Sequence, residues 1–335
     1  MKIFLTGAAG FIGFHVALRL LNEGHQVLGL DNLNDYYSVD LKRDRLRELG
    51  STPGQLDDSH PYSSEKYAGF QFVTGDLCNR KLLEKLVADF RPDMVVHLAA
   101  QAGVRYSITN PDVYIQSNIV GFHNLIEVIR MNRITRFLFA SSSSVYGNNA
   151  QVPFHEKANV DHPVSLYAAT KKSNELIAYT YSHLYGIHAV GLRFFTVYGP
   201  WGRPDMAPFL FTEAILKGKA ISLFNQGKLK RDFTYVSDVV EGITSVINLP
   251  EFPRGYHIYN IGNSQPEDLG VFVELLEKHL GMKANKELLP MQPGDVYQTY
   301  ADVRELHGLC GYRPRISLDE GLGEFVNWYR SYYKI

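Results

Sequence analysis

The first 32 residues, MKIFLTGAAGFIGFHVALRLLNEGHQVLGLDN, decide how the rest of the chain is read. Lys2 to Leu5 is a short apolar β-run, Gly7 to Gly10 makes a turn, Phe11 to Asn22 carries apolar residues at helical intervals, and Val27 to Leu30 is a second strand. Gly7, Gly10 and Gly13 stand at G-x-x-G-x-x-G spacing. Each answers a separate steric demand: a tight turn at Gly7, backbone approach to a pyrophosphate at Gly10, and helix-against-strand packing at Gly13. The helix N-terminus then offers N–H groups and partial positive charge to phosphates. Asp31 lies eighteen residues beyond Gly13, near the spacing at which a carboxylate takes the ribose hydroxyls of an adenosine. A carboxylate there repels a 2′-phosphate, and Asn32 and Leu33 follow it rather than an Arg, so the expected cofactor is NAD and not NADP.

At 335 residues the chain exceeds one comfortable core, and two lobes are expected. A net charge of −1 gives no electrostatic case for nucleic acid or an anionic membrane, which leaves a small molecule as the expected partner. The two cysteines, Cys78 and Cys310, lack C-x-x-C spacing and are read as small buried residues rather than disulfide or zinc ligands. No apolar run approaches membrane-spanning length and the N-terminus does not read as a signal peptide, so a cytoplasmic protein is expected. The histidines show no metal-ligand spacing, and His97, inside the run MVVHLAA, is read as a hydrogen-bonded core residue; no metal is expected.

Beyond Asp31 the elements alternate as a parallel α/β sheet requires. A charged helical stretch spans 40–49, and the polar segment 51–69 reads as a surface loop. FQFV is a strand, Arg80 to Phe90 a helix, Met94 to Leu98 a strand, Pro111 to Met131 a long helix, and Arg136 to Ala140 a strand. A helix from Ser165 to Leu184 and a strand from His188 to Phe195 follow. This is an α/β, Rossmann-type doubly wound sheet with a smaller, interleaved α/β substrate-binding lobe. The expected division is 1–195, with 232–262 returning to it, against 196–231 and 263–335.

The strand ending at Ala140 runs into four serines, Ser141 to Ser144, and 25 residues past Ser142 stands Tyr167-Ala168-Ala169-Thr170-Lys171. A Tyr and a Lys at i and i+4 share one helix face, where an ammonium favours the phenolate and lowers the tyrosine pKa from about 10. The pattern recurs at Tyr62-Ser63-Ser64-Glu65-Lys66, inside the polar loop and with no serine run ahead of it, and is read there as chance. Lys172 points about 100° away from Lys171 and is read as a surface charge.

Together with the N-terminal turn, TGAAGFIG, GDL, HLAAQ, SSSSVYG, YAATK, LRFFTVYGP and KRDFTYVSD resemble the extended short-chain dehydrogenase/reductases over essentially the whole chain, and more narrowly the NAD-dependent nucleotide-sugar epimerases and dehydratases. The resemblance implies that Tyr167 is the base at a sugar hydroxyl, that Lys171 holds the nicotinamide ribose and lowers the tyrosine pKa, and that Ser142 bridges to the same hydroxyl. It implies cofactor contacts from Phe11, Ile12, Asp31 and Asn32, from Asp76 and Leu77 at the adenine, and from Leu98, Ala99, Ala100 and Gln101 along the dinucleotide. Asn118 and Phe195 complete that set. It also implies a homodimer built on the helices Pro111 to Met131 and Ser165 to Leu184.

Dehydratases of this family carry Asp-Glu after the catalytic Thr, and UDP-glucuronate decarboxylases carry a Glu in the same stretch; this chain has Ser143 and Ser144, which cannot supply that acid and base. The implied reaction is 4-epimerisation, with oxidation at carbon 4 reversed on the other face and NAD tightly bound and regenerated each turnover. FFTVYGPWGRPDMAP and LDNLNDYYSVDLKRDRL are similar to UDP-glucuronate 4-epimerases, which implies a UDP-hexuronic acid held by Ser142, Ser143, Ser144, Thr196 and Arg203. Arg231 matches the family's diphosphate-binding Arg and Asp295 its nucleoside-ribose contact, whereas Met291 and Gln292 stand where a second diphosphate Arg is often found. A UDP-glucose/UDP-galactose 4-epimerase is the alternative enzyme, and a catalytically silent NAD-binding regulator is the alternative from another class.

Overall fold

The computed structural model describes residues 1–51, 60–149, 151–291 and 296–335. The chain divides into two compact units, the first formed by 1–147, 159–193 and 243–259, the second by 148–158, 194–242 and 260–335.

The first unit is built on β1 (Lys2–Thr6), α1 (Phe11–Asn22), β2 (Gln26–Asp31), α2 (Val39–Glu48), β3 (Tyr62–Ser63), β4 (Phe70–Thr74), α3 (Arg80–Phe90) and β5 (Met94–His97). It continues with α4 (Tyr106–Thr109), α5 (Pro111–Tyr114), a π-helical turn (Ile115–Val120), α6 (Gly121–Met131), β6 (Arg136–Ser142), a 3-10 turn (Ser143–Tyr146), α7 (Leu166–Tyr185) and β7 (His188–Phe194). The chain then forms β8 (Thr196–Tyr198), α8 (Ala207–Leu216), β9 (Ala220–Leu223), β10 (Lys230–Tyr235), α9 (Val236–Ile247), β11 (Tyr256–Ile261), β12 (Pro266–Asp268), α10 (Leu269–Leu280), β13 (Asn285–Leu288), α11 (Arg304–Cys310) and α12 (Leu318–Tyr333).

An eight-stranded sheet runs β11-β7-β6-β5-β1-β2-β4-β3. From β1 the order proceeds outward through β2 and β4 on one side and through β5, β6 and β7 on the other, so the switch point lies between β1 and β5, where Ile3 pairs with Met94 and Thr6 with His97. Ligands of such sheets bind beyond the carboxyl ends of the strands at this point. β1 and β5 are apolar because helices cover both faces of a parallel sheet: Ile3, Phe4, Leu5, Val95 and Val96 are fully buried. Phe122 of α6 and Phe137 and Phe139 of β6 pack edge-to-face and stacked with one another in the same core as Phe4 and Val95, each burial contributing about 2–3 kcal/mol. β3 is a correction to the sequence reading: part of the segment read as loop pairs antiparallel with β4, Tyr62 opposite Phe72.

α7 begins at Ser165, whose Oγ accepts the Ala168 N–H at 3.1 Å, and ends at Gly186 with φ of +69°, a left-handed cap that glycine takes without a Cβ penalty. Its inward residues are not the usual apolar set: Thr170, Lys171, Asn174 and Glu175 are all buried.

In the second unit β8, β10 and β12 form one sheet and β9 pairs with β13. Phe272, Val273 and Leu276 of α10 and Leu322, Phe325 and Val326 of α12 pack against Tyr198 and Phe233 as its core. No helix among the described residues is long and apolar enough to cross a membrane.

Candidate active site

The turn after β1 is held shut by Gly7 N–H donating to the Leu30 carbonyl at 2.7 Å and Gly10 N–H to the Gly7 carbonyl at 2.9 Å. Gly7 has φ of +77°, and a Cβ there would stand 2.7 Å from the Ala99 amide nitrogen; one at Gly13 would collide with the Gly7 carbonyl oxygen. Gly10 caps α1 with no side chain on the first N–H groups, and no acidic residue occupies the first turn. Phe11, Ile12 and Gly13 therefore present backbone donors and a positive helix end, which fits a pyrophosphate.

Asp31 is fixed by the backbone N–H groups of Ala9 at 3.2 Å and Leu33 at 2.9 Å. The Asn32 side chain donates to Asp76 at 2.8 Å, so two residues expected at the adenosine end meet. Burial works to raise the Asp76 pKa, but hydrogen bonds from Asn32 and Cys78 outweigh it and hold the carboxyl below its ordinary value. Leu77 is buried, its carbonyl accepting from Asn124. After β5, Leu98 N–H donates to the Thr6 carbonyl and Ala99 N–H to Thr6 Oγ1, with Ala100 half-buried beside them. Thr6 Oγ1 is also bonded to His97 Nδ1 at 2.7 Å. Burial, assisted by the Lys171 charge, pushes His97 down to about 3, so it is a neutral core residue as expected.

The π-helical turn breaks the helix read from Pro111 to Met131, and it carries Asn118. One extra residue per turn rotates the side chain and releases a carbonyl from the helical ladder. Asn118 Oδ1 accepts the Gln101 N–H at 2.8 Å, its Nδ2 donates to the Gln101 carbonyl and to Thr170 Oγ1, and its own carbonyl accepts Asn174 Nδ2 at 2.6 Å. The loop after β5 is thereby tied to α7.

β6 extends two residues past its expected end, through Ser141 and Ser142. Ser142 Oγ accepts both the Ser144 N–H at 3.1 Å and the Ser144 hydroxyl at 2.9 Å, closing the 3-10 turn that contains Ser143. On α7 the Tyr167 ring stands edge-on to Tyr114 at 6.1 Å. Lys171, 2% exposed, donates from Nζ to the Ala140 carbonyl at 2.9 Å. Burial pushes its pKa down to about 8, against the attraction of Glu175. The rival pattern at Tyr62 to Lys66 is not helical, and its Lys66 is exposed, donating to the Glu48 carbonyl. Lys172 is half-buried and faces Asp161 at 3.8 Å.

Four expected contacts among the described residues belong to the second unit. Phe195 is buried beside Phe154, and Thr196 opens β8 opposite Phe233 of β10. Arg231 lies opposite Glu267 of β12 and donates to the Lys230 carbonyl at 2.9 Å. Arg203 is engaged by Asp205, Nε to Oδ1 at 3.0 Å and Nη2 to Oδ2 at 2.5 Å. Asp295 lies outside the described residues.

The model of the NAD dependent epimerase/dehydratase family matches residues 3–262. The chain belongs to this family. Protein CapI of Staphylococcus aureus is 49% identical with both chains covered in full, and a probable UDP-glucuronate 4-epimerase of Rhizobium meliloti is 42% identical, covering 100% of this chain and 98% of its own. The solved UDP-glucuronic acid 4-epimerase of Bacillus cereus, in complex with UDP-glucuronic acid and NAD, superposes with a TM-score of 0.90 at 34% identity over 99% of this chain and 100% of its own. The chain is thus an NAD-dependent epimerase-family enzyme on a Rossmann-type fold.

Several residues of this family member escape a reading of the sequence. Arg45, fully buried in α2, donates from Nη1 to the Ala9 carbonyl at 2.9 Å and to Tyr37 at 2.7 Å, and Lys42 donates to the Asn34 carbonyl at 2.6 Å. Both cations brace the loop that follows Asp31 and sit in a stretch whose charge suggests a surface helix. The cysteines are also corrected: Cys78 is exposed and Cys310 half-buried. Cys78 sits in a turn where its N–H donates to Asp76 at 2.7 Å and its thiol to the Gln116 carbonyl at 3.3 Å, so it is held at the surface by polar contacts.

Proposed function

We propose that this enzyme interconverts UDP-glucuronate and UDP-galacturonate. The likeness to the Bacillus cereus UDP-glucuronic acid 4-epimerase across the whole chain carries this reading. It is supported by the serine turn: Ser142, Ser143 and Ser144 provide hydroxyls only, with no carboxylate for dehydration at carbons 5 and 6. Bound NAD supplies reversible two-electron chemistry at carbon 4. In this reading Tyr167 takes the proton of the 4-hydroxyl and later returns it, the Lys171 ammonium favours the phenolate, and Ser142, already oriented by Ser144, holds the hydroxyl. Ser143, Ser144, Thr196 and Arg203 are assigned to the sugar carboxylate, Arg231 to the diphosphate and Asp295 to the uridine ribose.

The deciding experiment is incubation of the purified protein with UDP-glucuronate and no added NAD, with products resolved by anion exchange. UDP-galacturonate without UDP-pentose is the expected result. One observation favours a second reading, a neutral-hexose 4-epimerase: Arg203 already has Asp205 as a counter-ion. Turnover of UDP-glucose but not UDP-glucuronate under the same conditions would select it.

A homodimer is proposed on the outward face of the first unit, where Val113, Ile115 and Val120 and, on α7, Leu176 and Leu184 leave apolar side chains exposed, the last two by 56% and 60%. Light scattering is expected to give twice the chain mass for the wild type and the single-chain mass for Leu176→Glu.

A further inference from the structure

The buried polar face of α7 contains a charge pair that the proposed reaction does not use. Glu175 lies one helical turn beyond Lys171 and two beyond Tyr167, on the same face. Arg193 of β7 grips it bidentately, Nε to Oε1 at 2.8 Å and Nη2 to Oε2 at 2.9 Å, with side-chain exposures of 3% and 2%. Ser141 donates to Glu175 Oε1 at 2.6 Å, and Arg193 Nη1 donates to the Tyr146 hydroxyl at 2.9 Å while its guanidinium stacks 4.8 Å from that ring. The network therefore holds the residues on either side of the Ser142 turn, and Lys171 is tied to the same strand end through Ala140.

A buried ion pair is usually no more stable than apolar residues of the same shape, so packing alone gives no reason for it. Its place gives one. Lys171 is sealed from solvent, and burial strips an ammonium of the hydration that keeps it charged. The groups around it offer little compensation. His97 on β5 is held neutral by burial, Tyr167 one turn back on α7 carries a phenol, Thr170 is uncharged, and Arg193 of β7, which grips Glu175, is itself a cation. Glu175, one turn along the same face, is the carboxylate whose attraction works against the burial of Lys171.

We propose that Glu175 is a positioning residue that keeps Lys171 charged and in register with the serine turn, and that Arg193 holds its carboxylate there. This rests on the assignment of Tyr167 and Lys171 to the proton-transfer step. Removing the carboxylate makes Lys171 lose its proton at lower pH, so the phenolate of Tyr167 loses its counter-ion sooner. The basic limb belongs to the Tyr167–Lys171 pair as a unit, and its displacement reports the lost charge.

The test is the pH profile of kcat for Glu175→Gln and for the neutral double variant Glu175→Gln/Arg193→Met, at saturating NAD. Each is run with whichever UDP-hexose the wild type turns over, so a failure of the UDP-glucuronate reading leaves this test intact. The basic limb is expected to move about one pH unit lower in Glu175→Gln, and lower by a smaller step in the double variant, which removes the Arg193 cation together with the carboxylate. The double variant leaves no unpaired buried charge and keeps the test available if the single one fails to fold. A limb that stays at the wild-type pH in the folded variant, with kcat lowered evenly across the range, would make the pair a structural brace and overturn the proposal.

Discussion

The two sets of residues assigned to chemistry and to sugar recognition are held in opposite ways. On α7 and at the end of β6, Lys171, Ser142 and Glu175 are buried and tied within the first unit: Lys171 to Ala140, Ser142 to Ser144, Glu175 to Ser141 and Arg193. On the segment from Thr196 to Asp205 of the second unit, Thr196 and Arg203 are half-buried, and the guanidinium is occupied by a carboxylate two residues away. Proton-transfer groups gain from being fixed before the substrate arrives, since their orientation then costs nothing during the reaction. A recognition cation gains from retaining exposure, where an anionic ligand can share it.

The largest effect should therefore follow from a change on the rigid side that removes no packing. Tyr167→Phe deletes one hydroxyl and leaves the ring beside Tyr114. It is expected to lower kcat about 1000-fold, the scale of a lost general base, with NAD content unchanged as measured by release on denaturation. A loss of less than tenfold would put the base elsewhere.

Much of the rigid side is legible in the sequence. The glycine turn, α1 from Phe11 to Asn22, α3 from Arg80 to Phe90 and the placement of Tyr167 and Lys171 one turn apart on a single helix follow from local periodicity and spacing, which tertiary contacts only reinforce. What holds that side together is not legible. Glu175, Arg193, Lys42 and Arg45 are charged, and charge in a helix or strand end reads as solvent; they are buried because distant partners satisfy them, and sequence spacing carries no record of those partners. The π-helical turn at Ile115 to Val120 is invisible for another reason, since one inserted residue barely disturbs an apolar pattern that already drifts between three and four. The β3 edge strand is two residues long, too short for an alternation to register.

The recognition side should respond more modestly, and selectively. Arg203→Met keeps the stem of the side chain and removes its charge. The expected result is a rise of about 10- to 100-fold in KM for UDP-glucuronate, the value of one charged hydrogen bond, with kcat nearly unchanged. An equal rise for UDP-glucose would mean that the residue braces its loop and does not read the carboxylate.

Asp205 separates these possibilities further, with the smallest effect and the most informative sign. Its two oxygens face Nε and Nη2 of Arg203, at side-chain exposures of 29% and 21%, so water screens the pair and its net worth is about 0.5 kcal/mol. Asp205→Asn keeps an acceptor for Nε and so keeps the guanidinium aimed, while removing a negative charge that an anionic sugar must approach. If Arg203 serves a carboxylate, the substitution should lower KM for UDP-glucuronate about twofold and leave UDP-glucose unmoved. The gain should fade with added salt, because a half-exposed charge is screened over a Debye length of about 8 Å at physiological ionic strength. A higher KM for both sugars would instead show that the ion pair shapes the segment from Trp201 to Asp205, and that flexibility there weakens binding of any UDP-hexose.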